Sequence, residues 1–228
     1  MAPDGAMVLY YDIAPDAVDD HDDWHTHEHF PERLSIPGFL RASRWVAGEG
    51  GPRYLVLYEV SDVPVLSGVP YLERLNNPTP WTARMMVNFR GMARGFCSIV
   101  ARSGAGLGCA MLSIRYTPAP GRKRELGNWL EAAVLPGISS RPGVVSAHML
   151  EPAAKPPMTK EQGIRGKDAD ISCVLLLTGY SADALSRIAD TDLAAEKFQQ
   201  HGASIVVATG KYHLDVVLMA TECARPNS

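Results

Sequence analysis

Three histidines stand four residues apart, His21, His25 and His29, inside the stretch HDDWHTHEHFPER that runs from His21 to Arg33. On a helix, residues three and four apart share a face. This spacing therefore lines three imidazoles along one stripe, with Trp24 and Glu28 on the adjoining strip and Glu32 one turn beyond. Two chemistries use such a set. An imidazole with its ordinary pKa of about 6.5 takes and returns a proton near neutral pH. In that reading His25 or His29 is the acid or base, and Glu28 orients it. Imidazoles one turn apart also suit zinc or another transition metal, with His21, His25, His29 and Glu32 as alternative ligands. The order is H-T-H-E-H and not H-E-x-x-H, however, and no distant histidine or cysteine is marked as a further ligand. His148, His201 and His213 read as ordinary residues, and the first reading is no metal. A solvated histidine-rich face, to which His27 belongs, is the chemically silent alternative.

The elements that carry these residues occur twice. Sliding the sequence by 105 residues lays Trp24–Trp45 on Trp129–Leu150 without a gap, pairing Trp24 with Trp129, Pro31 with Pro136, Pro37 with Pro142 and Gly38 with Gly143. Tyr11 meets Tyr116 at the same offset. Further on, Tyr58–Ser61 lies on Thr178–Ser181 and Phe96–Ile99 on Val216–Met219 at an offset of 120, implying an insertion near 152–170 in the second copy. Rich in Pro, Lys, Gly and Asp, that insertion reads as a surface excursion with no core of its own. The chain thus divides into a first repeat over 1–102, a linker over 103–110 and a second repeat over 111–228. The positions matching His21, His25, Glu28 and His29 are Leu126, Leu130, Ala133 and Val134. Burying unpaired ionisable groups costs several kcal/mol, so their presence in only one copy predicts a polar pocket between the first helix and its sheet.

Composition narrows the classes. The chain has 228 residues, 46% hydrophobic and 21% charged, with a net charge of −3, the make-up of an ordinary globular protein. No clustered basic face argues for nucleic acid. The short run of Arg84, Arg90 and Arg94 reads as a solvated strand edge or an anion contact. No apolar run reaches the roughly 18–20 residues that span a bilayer, and the first residues lack a leader pattern. The four scattered cysteines read as reduced packing residues, which implies a cytoplasmic protein.

Within each copy the periodicity gives β-α-β-β-α-β. The first has strands at 7–13, 39–47, 54–60 and 92–101, a helix at 16–33, and a second helical region after Asp62. The second has strands at 111–117, 143–151, 171–178 and 211–220, and helices at 120–136 and 181–201. This order is ferredoxin-like, two helices on one face of a four-stranded antiparallel sheet. Two such units cover their open faces by packing sheet to sheet. The expected class is α+β, tandem ferredoxin-like repeats forming a pseudo-dimeric α/β barrel.

That arrangement resembles the dimeric α/β-barrel superfamily, which includes antibiotic-biosynthesis monooxygenases, muconolactone isomerases, stress-responsive barrel proteins and EthD-like proteins. Trp24–Arg33 followed by Ile36-Pro37-Gly38-Phe39 is similar to the helix-then-Pro-Gly pattern of the EthD-like branch. The resemblance implies that a histidine near the end of the first helix lines a pocket. The fold hosts unrelated chemistries, so activity has to be argued from the site.

The expected site uses His25, His29 and Glu28 with Arg41, whose planar fork would hold a carboxylate or enolate oxygen. Arg44 is the other candidate for that position. Strand alternation allows one of the two inward, and Phe39, Arg41, Ser43 and Trp45 share a face. Tyr10, Trp45, Trp81 and Met85 would wall a pocket for a cyclic or aromatic molecule. No phosphate loop, nucleophile elbow or flavin fingerprint occurs, which favours chemistry without a cofactor. The reading is an isomerase or lyase acting on a small organic substrate by histidine-mediated proton transfer, as a monomer or homodimer. The alternatives are a cofactor-free monooxygenase, a metal-dependent enzyme on the same helix, and a barrel that only binds a hydrophobic metabolite.

Overall fold

The computed structural model describes residues 2–223, the side chains of 205–207 excepted. The first repeat runs through β1 (Gly5–Ile13), α1 (Val18–Trp24), a π-helical turn (His25–His29), α2 (Phe30–Leu34), β2 (Phe39–Glu49), β3 (Tyr54–Val60), α3 (Val69–Asn76), α4 (Pro80–Met86) and β4 (Phe89–Gly104). The second has β5 (Ala110–Pro118), α5 (Lys123–Trp129), a π-helical turn (Leu130–Val134), α6 (Leu135–Ile138), β6 (Val144–Pro152), α7 (Lys160–Arg165), β7 (Ala169–Asp170), β8 (Cys173–Gly179), α8 (Ala182–Asp190), α9 (Ala195–Gln200) and β9 (Ala203–Met219). A short α10 (Ala220–Cys223) follows. Among the described residues no helix is long and apolar enough to cross a membrane.

The π turns fall at equivalent places and share a cause. A helical proline lacks the N–H that would bond to the carbonyl four residues back, and its ring clashes with that carbonyl. Pro31 and Pro136 each follow a widened turn, in which Phe30 N–H bonds to His25 O and Leu135 N–H to Leu130 O. The defect therefore belongs to the scaffold. Only the first copy fills it with histidines. Each arm then ends at a glycine in the left-handed region, Gly38 at φ 95° and Gly143 at φ 94°. A Cβ at Gly38 would lie 2.5 Å from a Val65 methyl, and one at Gly143 would lie 2.3 Å from Ala184 Cβ. This explains why the Pro-Gly pair recurs in both copies.

Eight strands form a closed antiparallel barrel in the order β1-β3-β2-β9-β5-β8-β6-β4, with β4 returning to β1. The long last strand of each repeat makes the closure. The first part of β4 pairs with β1 and its end with β6. Likewise β9 pairs first with β5 and then with β2. That double duty explains why both strands exceed their expected spans. The α+β class and the tandem ferredoxin-like repeats packed as a pseudo-dimeric barrel agree with expectation.

The offset at the later strands needs correction. Gly5 faces Val60 and Ser98, while Ala110 faces Gly179 and His213. Strands β3 and β8 are thus offset by 119 residues, and β4 and β9 by 115, not 120. Continuous apolar strands match at several slides, so composition alone leaves their alignment loose.

Three cores result. Val8, Tyr10, Trp45, Leu55, Leu57, Leu150 and Leu176 fill the barrel interior. A second cluster lies outside it, between the first repeat's helices and the strands. A third lies under the second repeat's helices.

Candidate active site

Because β1 is apolar on both faces, alternation sends Val8 and Tyr10 into the barrel and Met7 and Tyr11 toward the helices. The helical arm lies over Tyr11 and places its imidazoles there. His21, His25 and His29 are all buried. Their rings stack in a ladder, with centroids 5.2 Å apart for His21–His25 and 5.5 Å for His25–His29. Trp24 packs beside the ladder, 4.3 Å from the His29 ring centre. Phe30 closes on His25 at 4.1 Å. His25 Nε2 meets Tyr58 Oη at 3.3 Å. The Nδ1 atoms of His25 and His29 are buried without a hydrogen-bond partner.

His25 and His29 border a narrow, partly enclosed cavity whose free volume is about 30 Å³. That is room for about one or two waters, well short of the roughly 300–1,000 Å³ usual for small-molecule sites. Tyr11, Tyr58 and Tyr71 reach it, among Trp24, Phe89, Met7, Met86 and Met92. Burial pushes the pKa of His25 well below the ordinary imidazole value, and the neighbouring His21, His29, Arg44 and Arg33 push it the same way. Burial, then Arg33, does likewise for His29. Both rings are therefore neutral at neutral pH, each with a lone pair to offer.

The cavity is covered by the other repeat. The insertion expected to be a surface excursion crosses to the first repeat, where α7 packs against α3 and α4 and β7 pairs in parallel with β4. Glu161 grips Arg33 through both oxygens at 2.6 and 2.7 Å. Asp168 holds Arg94 at 2.9 Å and Arg165 at 2.8 Å. Glu161, Asp168 and Thr159 are buried. Most of the segment is exposed, as a surface excursion should be; its docking on the first repeat is not expected from the sequence, because it depends on buried guanidinium partners that composition cannot reveal. Arg94 is accordingly neither a solvated edge residue nor a free anion contact.

Several expected site residues lie elsewhere. Glu28 does not orient an imidazole. Its Oε1 accepts from Thr79 at 2.6 Å and from Thr82 at 3.3 Å, because its strip of the helix faces α4. Arg41 pairs with Glu59 and lines a different cavity at the barrel mouth, with Arg102 and His148. A bulge between Phe39 and Arg41 changes the alternation there, so Phe39 packs on the helix side, away from the interior face of Trp45. Arg44 lies on the helix side but bonds to Asp215 at 2.6 Å and to the Asp22 carbonyl at 3.0 Å. Tyr10 and Trp45 belong to the barrel interior. Trp81 donates to Asp20 at 2.9 Å on the outer flank, and Met85 is core behind the cavity wall. As for the alternative ligands, the imidazoles stack face to face and do not converge. Among the described residues no three His, Cys, Asp or Glu groups are arranged to hold an ion.

No family model matches the chain, and no curated protein does. Solved structures do match across its length. An anthrone oxidase-like protein superposes with a TM-score of 0.64 at 9% identity, covering 100% of this chain and 98% of its own. A Lactobacillus acidophilus protein assigned provisionally as a monooxygenase gives 0.60 at 10% identity, with 96% and 97% covered. A chlorite dismutase from Candidatus Nitrospira defluvii gives 0.55 at 10%, with 96% and 92% covered. At such identities the likeness defines the fold, and that fold is the dimeric α/β barrel with its two units fused in one chain.

Proposed function

We propose that the first-repeat cavity is the active site of an enzyme that removes a proton from a flat, weakly acidic aromatic molecule, using an imidazole and no bound cofactor. The observation that carries this reading is the pair of neutral, buried imidazoles, His25 and His29, on a cavity where the second repeat has Leu130 and Val134. Neutral imidazole is the basic form, and a positioned base typically contributes about 10²–10⁴-fold to rate. At the mouth, the guanidiniums of Arg33, Arg94 and Arg165 are matched by Glu161, Asp168 and Glu32. That balance suits an uncharged ligand that develops one negative charge. The aromatic and thioether walls suit a planar ring system, which enters once the flexible methionines and the covering segment 153–170 move aside.

The fate of the resulting carbanion divides the two readings. Returned to another atom of the substrate, the proton completes an isomerisation. A cofactor-free oxygenase is the second reading, supported by the likeness in fold to an anthrone oxidase-like protein and to monooxygenase-like proteins. Anthrone is a suitable probe for both. Loss of its methylene proton gives an enolate; reprotonation on oxygen gives the enol. Reaction of that anion with one O2 gives one anthraquinone and one hydroxide, which the proton held by the imidazole converts to water. Anaerobic exchange of the methylene hydrogens in D2O reports the proton step, and oxygen uptake reports the oxidation. Protein-dependent exchange that drops about 10²-fold or more in His25→Gln or His29→Gln supports the reading. Wild-type exchange in both variants would reject it.

A further inference from the structure

From Tyr11, a hydrogen-bonded chain leads out of the cavity. Its Oη lies 3.1 Å from His21 Nε2, and His21 Nδ1 lies 2.9 Å from Asp22 Oδ1. The carboxylate fixes the tautomer. An Nδ1–H donates to Asp22, so Nε2 is the acceptor and the Tyr11 hydroxyl donates to it. The phenolic oxygen keeps its lone pairs for a donor in the cavity, which Tyr11 lines. At the far end the Asp22 side chain is 33% exposed. Tyr54 donates to the same carboxylate oxygen at 2.8 Å, and Arg44 lies 3.6 Å from it.

The second repeat supplies an internal control. Tyr116 occupies the place of Tyr11, but Leu126 replaces His21 and Gly127 replaces Asp22. The Tyr116 hydroxyl is buried with no hydrogen-bond partner. The ring is therefore inherited packing, and only the first copy connects its hydroxyl to anything.

We propose that Tyr11, His21 and Asp22 form a proton relay between the cavity and solvent, in which Tyr11 takes over the proton that the basic imidazole, His25 or His29, has removed from the substrate. This rests on the proton-transfer reading of the same cavity. As the proton held by that imidazole moves to the phenolic oxygen, directly or through a water in the cavity, the phenol's own proton moves to His21 Nε2, which becomes an imidazolium. No free tyrosinate forms, and the imidazolium is stabilised by Asp22. Tyr11 then handles the transferred proton, while His21 and Asp22 act through it as positioning residues. The charged and titratable neighbours of His21 are Asp22, Tyr11, Tyr54, His25, Arg44 and Arg53.

The test is anaerobic deuterium exchange of anthrone across a pH series in wild type, Tyr11→Phe, His21→Gln, Asp22→Asn and Tyr11→Phe/His21→Gln, with anthrone affinity measured alongside. Tyr11→Phe keeps the ring, so it should fold and bind normally while losing about 10²-fold or more in exchange. Asp22→Asn should lower the rate and move the pH profile, and Asp22→Glu should recover part of both. Members of one relay fail as a unit, so the double variant should be no slower than Tyr11→Phe. Wild-type rates and an unmoved profile in Tyr11→Phe and Asp22→Asn would overturn the relay while the proton-transfer reading stands. If wild type neither binds nor exchanges anthrone, both fall together.

Discussion

Arg33 and Glu161, 128 residues apart, meet through two hydrogen bonds of 2.6 and 2.7 Å with both side chains almost fully buried. One comes from the first repeat's histidine helix and the other from the second repeat's insertion. Their contact places a segment of the second copy over the cavity of the first.

Removing one partner of a buried ion pair leaves the other charge unmatched, at a typical cost of about 3–5 kcal/mol. Glu161→Gln should therefore lower the urea midpoint strongly and expose residues 153–170 to limited proteolysis. The second repeat has Ile138 where the first has Arg33. Accordingly, Arg33→Ile combined with Glu161→Leu should recover much of the lost stability. A Glu161→Gln protein as stable and protease-resistant as wild type would contradict the fastening role.

Stability should fall in mild acid. His21, His25 and His29 all have folded pKa values below the ordinary imidazole value, chiefly through burial. A group depressed by folding contributes its stability above the unfolded pKa and loses it as pH falls toward the folded one. The loss should begin near pH 6.5, at up to about 1.4 kcal/mol per pH unit for each imidazole that stays neutral. Urea midpoints measured from pH 7.5 to 5 should show this slope, and His25→Leu and His29→Leu should each flatten it.

Matched positions should respond in opposite ways. Leu130→Ala opens a hole in a filled core and should cost about 2–5 kcal/mol. His25→Leu combined with Tyr58→Phe removes a buried, unpaired nitrogen together with both ends of the His25–Tyr58 hydrogen bond, and should leave stability unchanged or raised, while proton-transfer activity falls. Thermal and urea unfolding of the two variants checks the contrast.

How much of this could be read in advance is clearest at two tyrosines. The pairing of Tyr11 with Tyr116 and the substitution of His25 for a leucine-type residue marked the repeats and the polar pocket, because turn and packing residues keep their spacing. Which face Tyr11 takes could not be read. Residues 5–13 are apolar on both faces, and a period of two gives no choice between Tyr10 and Tyr11. The bulge at Phe39/Arg41 likewise turns Phe39 to the helix side, apart from Arg41 and Trp45, without a sequence signal. The insertion was found by counting, but its partner was not, since nothing local links Glu161 to Arg33.

The two tyrosines also make a stability prediction. Tyr116→Phe deletes a buried hydroxyl with no partner and should be neutral or stabilising by about 1 kcal/mol. Tyr11→Phe removes a satisfied hydrogen bond and should cost about 0.5–1.5 kcal/mol. Equal losses in calorimetry would refute the distinction.

Strands β4 and β9 each end on the other repeat, so the ring closes within one molecule. Two separate subunits joined this way would dissociate on dilution, whereas tethered halves meet at a fixed effective concentration, typically millimolar for a short link. Activity per chain should accordingly stay constant down to the lowest assayable concentration. Fusion also removes the requirement that both halves be alike. Twin subunits would have to carry histidines and covering segment in duplicate, but a single chain can place the reactive groups in one half and build their cover from the other.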